Sequence, residues 1–368
     1  MGAQGRMARL ILPRSPRTNG GRRRVDMLRW IIGGLLALVG LLALMAAGAY
    51  FALKRPDIPY ETLAAQYEGV PSRYVELPGG LRVHYRDEGQ SNGPPLLLVH
   101  GFSASLHTWE PWVERLGDEY RLISLDLPGH GLTSAPAGYR ASIEGYREIV
   151  REFARSRGLT RFALAGSSMG GNVAWEYALA YPEQVDALIL VDASGWEDTR
   201  AEAAEDPPVF KLLRNPTLGP IMVQLDGSRL VRQGLEASFA DPALVNDAMV
   251  NRYVQLARAP GHREILLQMT LGYRERNYAT AQRLAPLRMP VLIMTGDTDR
   301  LVPPAHAEQF HNAINGSQLI TFEATGHIPH EERPDESATA VREFLHQVVE
   351  GSALAPLPEV NCDVDARC

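Results

Sequence analysis

The sequence predicts an α/β fold, a doubly wound and mostly parallel sheet interrupted by a helical insertion and preceded by one membrane-spanning helix. Three observations carry that prediction. Short apolar runs recur along the chain with helical patterns between them, about a hundred residues between Val191 and Val291 carry no strand pattern, and the stretch Trp30–Leu53 holds no charged side chain.

The elements follow in order. Arg73–Leu77 and Leu81–Asp87 alternate and are joined at Pro78-Gly79-Gly80, the pattern of a hairpin. Pro95–His100 is apolar without a break, as a strand buried on both faces must be, and the sheet is expected to turn parallel there. Similar runs stand at Arg121–Leu125, Arg161–Ala165, Ala187–Val191, Val291–Thr295 and Gln318–Phe322, with helical patterns at Ile143–Arg157 and Met169–Tyr181 between them. Alternation of this kind puts helices on both faces of a sheet whose ligands bind at the carboxyl ends of the strands. The long strand-free interval shows helical patches at Pro242–Ala257 and His262–Arg276, and an unstructured loop of that length has no place in a compact domain. It reads as a helical cap over residues 195–285, dividing a core of 73–194 and 286–350. No internal repeat is present.

The 24 residues of Trp30–Leu53 make a helix of about 36 Å, enough to cross a hydrocarbon layer of about 30 Å. Trp30 and Tyr50 stand near its ends, where interfacial aromatics are favoured. Residues 1–55 carry ten basic side chains against the single acid Asp26, so eight arginines precede the apolar run. Basic flanks stay on the cytoplasmic side, which puts a basic tail at 1–29, an anchor at 30–53, a linker at 54–72, and the remainder on the outer side, periplasmic or extracellular. The competing expectation is a cleaved signal peptide with Ala47-Gly48-Ala49 as its small-residue site, but the apolar run exceeds the usual signal core of about 7 to 15 residues.

The net charge of −6 hides an asymmetry, because the +9 of the first 55 residues leaves −15 for the rest. A body that acidic lacks the basic footprint of a nucleic-acid binder. The two cysteines, Cys362 and Cys368, both lie in the polar tail at 351–368. They give neither a core disulfide framework nor a metal site, and either pair with each other or stay free. No spacing of metal-ligating residues stands out, and the paired glycines Gly79-Gly80 and Gly170-Gly171 are turn residues rather than a phosphate cradle, so neither cofactor nor metal is expected.

The chemistry is carried by Gly166-Ser167-Ser168-Met169-Gly170, which follows one strand and opens a helix. A serine held on such a tight turn is a candidate nucleophile, and glycines two places before and after it leave room for the turn to pack. A serine hydroxyl needs a base and a carboxylate to orient that base. Both follow in order, Asp299 in Gly296-Asp297-Thr298-Asp299-Arg300 after one strand and His327 after Gly326 beyond the next. Asp297 and Asp192 are rival acids and His330 a rival base.

Five segments together resemble the α/β-hydrolase family, in particular its capped lipases, esterases and carbon–carbon hydrolases. They are His100-Gly101-Phe102, Asp126-Leu127-Pro128-Gly129-His130-Gly131, Gly166–Gly170, Gly296–Pro303 and Gly326–Glu331. The resemblance covers Arg73–Val349. It implies Ser168 as nucleophile, Asp299 as acid and His327 as base, with His100 and His130 structural. An oxyanion hole needs two backbone N–H donors, supplied here by Met169 after the nucleophile and Phe102 in the turn after the third strand. The expected activity is hydrolysis of a small-molecule or lipid carboxylic ester. The alternatives are a carbon–carbon hydrolase of a ring-cleavage diketone and a non-catalytic binding module on the same scaffold. The cap's apolar residues, among them Leu212, Leu213, Ile221, Met222, Leu225, Leu230 and Phe239, either pack its helices or line a pocket.

Overall fold

The structure, a computed structural model, describes residues 20–197, 208–272 and 277–354. Cys362 and Cys368, and the arginines before residue 20, lie outside that range. The chain divides into two units, Met1–Lys54 and Arg55–Cys368.

The first unit is one helix, Gly20–Leu53. Within Asp26–Leu53 its most apolar 18-residue stretch has a mean hydropathy of 2.4, and none of that stretch is buried. Leu44 and Phe51 are each about three-quarters exposed. A helix apolar on every side satisfies its backbone internally and finds a favourable surrounding in lipid rather than water, so it fits a membrane anchor or a signal sequence.

The second unit is built on eight strands: β1 Ser72–Leu77, β2 Leu81–Gly89, β3 Pro95–Val99, β4 Arg121–Leu125, β5 Phe162–Ser167, β6 Val185–Val191, β7 Val291–Gly296 and β8 Gln318–Phe322. Their order in the sheet is β1-β2-β4-β3-β5-β6-β7-β8. The hairpin β1–β2 is antiparallel, β2 meets β4 antiparallel, and every pair beyond it is parallel. The parallel strands alternate side chains between two cores. Leu97, Val99, Leu164, Leu188, Leu190 and Ile293 pack against the helices Ile143–Ser156 and Met169–Ala180. Leu96, Leu98, Ala165, Ile189, Leu292 and Met294 pack on the opposite face, against Trp109, Trp112, Val341 and Phe344. Each fully buried leucine or isoleucine contributes about 1.5–3 kcal/mol, which is why these strands read as unbroken apolar runs.

Between β6 and β7 the described residues form helices and no strand: Pro208–Leu213, Gly219–Met222, Ser228–Ser238, Asp247–Leu256, His262–Gly272 and Ala281–Leu284. The expected helix at Pro242–Ala257 begins later, because Pro242–Leu244 forms a separate 3-10 turn and the Asn246 side chain caps the helix by accepting from Met249 N at 2.9 Å. The expected helix from His262 is described as far as Gly272, and residues 273–276 fall outside the described range.

The segment read as a linker over 54–72 differs from that reading. It carries a helix, Tyr60–Tyr67, whose Leu63 is fully buried with Leu132, Leu256 and Ala259. Tyr60 Oη lies 3.0 Å from His262 Nε2, and Ile58 N donates to Arg258 O at 2.8 Å. Burial of Leu63 and these hydrogen bonds make residues 55–72 an integral part of the second unit.

Candidate active site

Because β3 and β5–β8 run in parallel, the turns that leave their carboxyl ends gather at one edge of the sheet. Four described non-glycine residues have positive φ, Ser103 (61°), Ser168 (54°), Asp192 (42°) and Ala324 (47°), and each follows one of those ends. Such conformations are costly, so the strain is concentrated along one edge.

Ser168 stands between β5 and the helix Met169–Ala180 at φ 54°, ψ −115°. The flanking glycines are required by close approach. A Cβ on Gly166 would lie 2.2 Å from Gly170 O, and one on Gly170 would lie 2.1 Å from Val99 O. The Ser168 N–H donates to Val191 O at 2.9 Å, which leaves the following N–H, that of Met169, at the helix N-terminus. The turn after β3 comes alongside, since a Cβ on Gly101 would lie 3.2 Å from Ser168 Cβ.

Asp299 and His327 occupy two loops packed backbone to backbone. A Cβ on Gly296 would fall 2.1 Å from Gly326 O, and Thr298 binds Thr325 O through both its N–H (3.0 Å) and its hydroxyl (2.8 Å). His327 Nδ1 lies 2.7 Å from Asp299 Oδ2, with both residues buried. The other oxygen, Oδ1, accepts from Leu301 N at 2.7 Å and Val302 N at 3.0 Å. Burial pushes the Asp299 carboxyl up, but His327 and these two amides outweigh it and hold it below its ordinary value. A charged Asp299 keeps a proton on Nδ1 and turns Nε2 outward as an acceptor, the tautomer a general base requires.

Ser168, Met169, Gly101, Phe102 and His327 all border one cavity of about 1090 Å³. Its apolar wall comes from Leu267, Met269 and Leu271 of the helix His262–Gly272, with Leu235 and Tyr253 from neighbouring helices. The apolar residues picked out from the sequence do not form it: Leu212, Ile221 and Leu230 are exposed, and Phe239 packs with Leu235, Val245 and Val250. The spacing of Leu267 and Leu271, one helical turn apart, was the available signal.

The rival residues have other partners. Asp297 is exposed and accepts from Thr325 N at 3.2 Å, bracing the loop rather than the imidazole. His330 is fully buried with Nε2 2.9 Å from Thr108 Oγ1. His100 accepts from Leu127 N at 3.0 Å, and His130 donates to Pro128 O at 3.1 Å, so both hold backbone. Asp126 accepts from Leu106 N (2.7 Å), Leu132 N (2.9 Å) and His84 Nδ1 (2.7 Å), tying down the turn that follows β3.

Glu332 was not singled out from the sequence as a member of the site. Glu332 Oε2 accepts from Gly326 N at 2.8 Å and its Oε1 from Ala240 N at 3.0 Å, so it joins the His327 loop to the inserted helices. His327 N in turn donates to Ser238 O at 2.7 Å. Asp192, a rival acid by sequence, lies close to both Asp299 and His327, and one potential ligand atom from each of the three falls within 4.8 Å of the others. That grouping of donors was not visible in their sequence spacing, and the bond between Nδ1 and Oδ2 already joins two of them.

The mostly parallel sheet, the strained serine turn and the ordered loops after β7 and β8 define an α/β hydrolase. The family model of the alpha/beta hydrolase fold matches residues 94–334, and the chain belongs to that family. It is 30% identical over 285 residues to the dihydrolipoyllysine-residue acetyltransferase component of the acetoin cleaving system of Pseudomonas putida, covering 77% of this chain and 72% of that protein. It is 27% identical to Lipase 3 of Moraxella sp. (strain TA144), covering 84% of this chain and 96% of the lipase. Among solved structures, a membrane phospholipase A described as a bacterial virulence factor superposes with a TM-score of 0.64 at 30% identity, covering 86% of this chain and 98% of that one.

Proposed function

We propose that this α/β hydrolase cleaves a carboxylic ester with an apolar acyl group, through an acyl-enzyme on Ser168. The observation that carries the reading is that His327, paired with Asp299, borders one apolar cavity together with Ser168. In this mechanism His327 Nε2 takes the Ser168 proton as Oγ attacks the ester carbonyl. The Met169 and Phe102 N–H groups hold the oxyanion, and His327 returns the proton to the departing alcohol. Water then adds to the acyl-enzyme by the same path and releases the acid. Similarity to Lipase 3 and to the membrane phospholipase A supports an ester or lipid substrate. A carbon–carbon hydrolase would use the same three side chains, and a ring-cleavage dienone is its diagnostic substrate.

The helix Gly20–Leu53 serves in this reading as a retained anchor, with the arginine-rich end cytoplasmic and the hydrolase unit outside, where lipid esters are at hand. The test is turnover of p-nitrophenyl esters of graded chain length by the full chain in detergent, with fluorophosphonate labelling alongside. Ser168→Ala should abolish both while leaving the melting temperature in place. Retained turnover in that variant overturns the nucleophile, and dienone cleavage without ester cleavage overturns the substrate class.

A further inference from the structure

Arg55, Pro56, Asp57, Ile58 and Tyr60 each bond to the segment inserted between β6 and β7. Arg55 N donates to Gln224 O at 2.9 Å, and its guanidinium lies 2.9 Å from Asp226 Oδ2. Pro56 O accepts from Arg258 Nη2 at 2.8 Å, and Ile58 N donates to Arg258 O at 2.8 Å. Arg263 is gripped from three sides: its guanidinium donates to Arg55 O at 2.9 Å, to Val223 O at 3.2 Å and to the Asp57 carboxylate. Tyr60 Oη closes the series, 3.0 Å from His262 Nε2, 3.3 Å from Pro260 O and 3.2 Å from Thr133 O in the loop after β4. Residues 55–60 thus form a strap across residues 223–226 and 258–263.

Both of those stretches adjoin the cavity wall. His262 and Arg263 open the helix His262–Gly272, and a spacing of four places Arg263, Leu267 and Leu271 on one face of it. Leu267 and Leu271 border the cavity, as does Pro220 a turn ahead of Val223. A Cβ on Gly219 would lie 3.6 Å from Leu267 Cδ2, so the two stretches that receive the strap also meet beside the cavity. A packed interior transmits displacement, and a shift at Arg263 carries Leu267 and Leu271 with it. The reacting groups are held elsewhere: His327 N rests on Ser238 O, and Ser168 and Asp299 follow β5 and β7. The strap bears on the wall of the cavity and not on the serine, the acid or the base.

We propose that residues 55–60 are a specificity element, holding the helix His262–Gly272 at the spacing a long acyl chain needs, with Asp57 and Tyr60 as positioning residues. This rests on the acyl-cavity reading given above. A chain that reaches Leu267 and Leu271 senses the strap, whereas an acetyl group on Ser168 does not.

The test is the acyl-chain profile of the full chain in detergent, with p-nitrophenyl acetate and p-nitrophenyl dodecanoate as probes. Wild type is compared with Asp57→Ala, Tyr60→Phe and the double variant, and labelling by a small fluorophosphonate counts the active sites. On the dodecanoate the double variant should raise KM about tenfold and keep kcat within about twofold, the signature of lost ground-state binding. On the acetate its kcat/KM should stay within about twofold of wild type. Asp57→Glu keeps a carboxylate for Arg263 and should restore the wild-type profile. An equal loss on both esters overturns the proposal, because the strap would then only hold the fold together, and so does an unchanged profile. Rates are taken per labelled site, and where the double variant does not fold, Tyr60→Phe, which removes one hydroxyl, is read by the same criteria. A wild type that cleaves neither ester removes the ester reading and the strap assignment with it, whereas a wild type that cleaves both while the variants keep its profile removes the strap alone.

Discussion

Replacing Glu331 by glutamine should make the protein more stable above neutral pH and leave it unchanged in acid. Glu331 lies in the helical turn Pro329–Glu332 directly after His327, and the Thr108 hydroxyl donates to its Oε1. Burial raises this carboxyl from 4.5 to about 7, against the lowering effects of the Thr108 hydrogen bond and of Arg252, with Glu110 adding a smaller rise. The folded protein thus holds the proton more tightly than the unfolded chain does. The stability gained is complete below the unfolded value of about 4.5 and is lost as pH rises through about 7, with a full loss of about 3 kcal/mol. Glutamine never ionises, so the variant escapes that loss. Thermal unfolding of wild type and Glu331→Gln in detergent from pH 4 to pH 9 is the assay. At pH 8 the variant should melt higher by roughly 5 °C, the low end of the scaling for a domain of this size. Parallel curves across the whole pH range would refute the reasoning, because the burial of Glu331 would then carry no proton linkage.

Other outcomes follow from the same geometry. His327→Ala should lower kcat by about 10⁴-fold or more with little change in KM, measured in the p-nitrophenyl ester assay. Gly170→Ala should fail to give soluble protein or unfold with a loss of about 3 kcal/mol or more, since the added Cβ meets Val99 O at 2.1 Å; urea unfolding reads it. Gly234→Ala, within the helix Ser228–Ser238 and with open space around its Cβ, should instead stabilise by about 0.5–1 kcal/mol in the same measurement. Leu271→Trp narrows the apolar wall of the cavity and should shift the preferred p-nitrophenyl ester to shorter acyl chains, with KM for long chains rising first.

The strands were legible because a strand buried on both faces must be apolar throughout, as Pro95-Leu96-Leu97-Leu98-Val99 is. Their ends were less so. β6 starts at Val185 rather than Ala187 because the partly exposed Asp186 interrupts the apolar run without interrupting the strand. β2 runs on to Gly89 because Glu88 and Gly89 pair with Leu122 and Arg121, a matter of backbone ladder rather than side-chain pattern. Ser168, Asp299 and His327 could be picked out as candidates because each follows a strand in a recognisable local sequence. Asp192 could be named as a rival acid, but that it lies beside Asp299 rather than in its place could not be read, since this arises from the pairing of β6 with β7 across about a hundred intervening residues. The Tyr60–Tyr67 helix was hidden for a different reason: Leu63 is its one fully buried residue, and prolines stand before it.

The inserted helices share backbone with the chemistry. Ser238 O receives the His327 N–H, Ala240 N reaches Glu332, and a Cβ on Gly326 would strike Ser238 O at 2.4 Å. Residues 238–240 thus act as a strut on which the imidazole rests. Any motion that admits substrate has to pivot around that strut and leave it seated. Excising the insertion to make a minimal hydrolase would remove the backbone contact at His327 N, leaving the imidazole held by Asp299 and its loop alone.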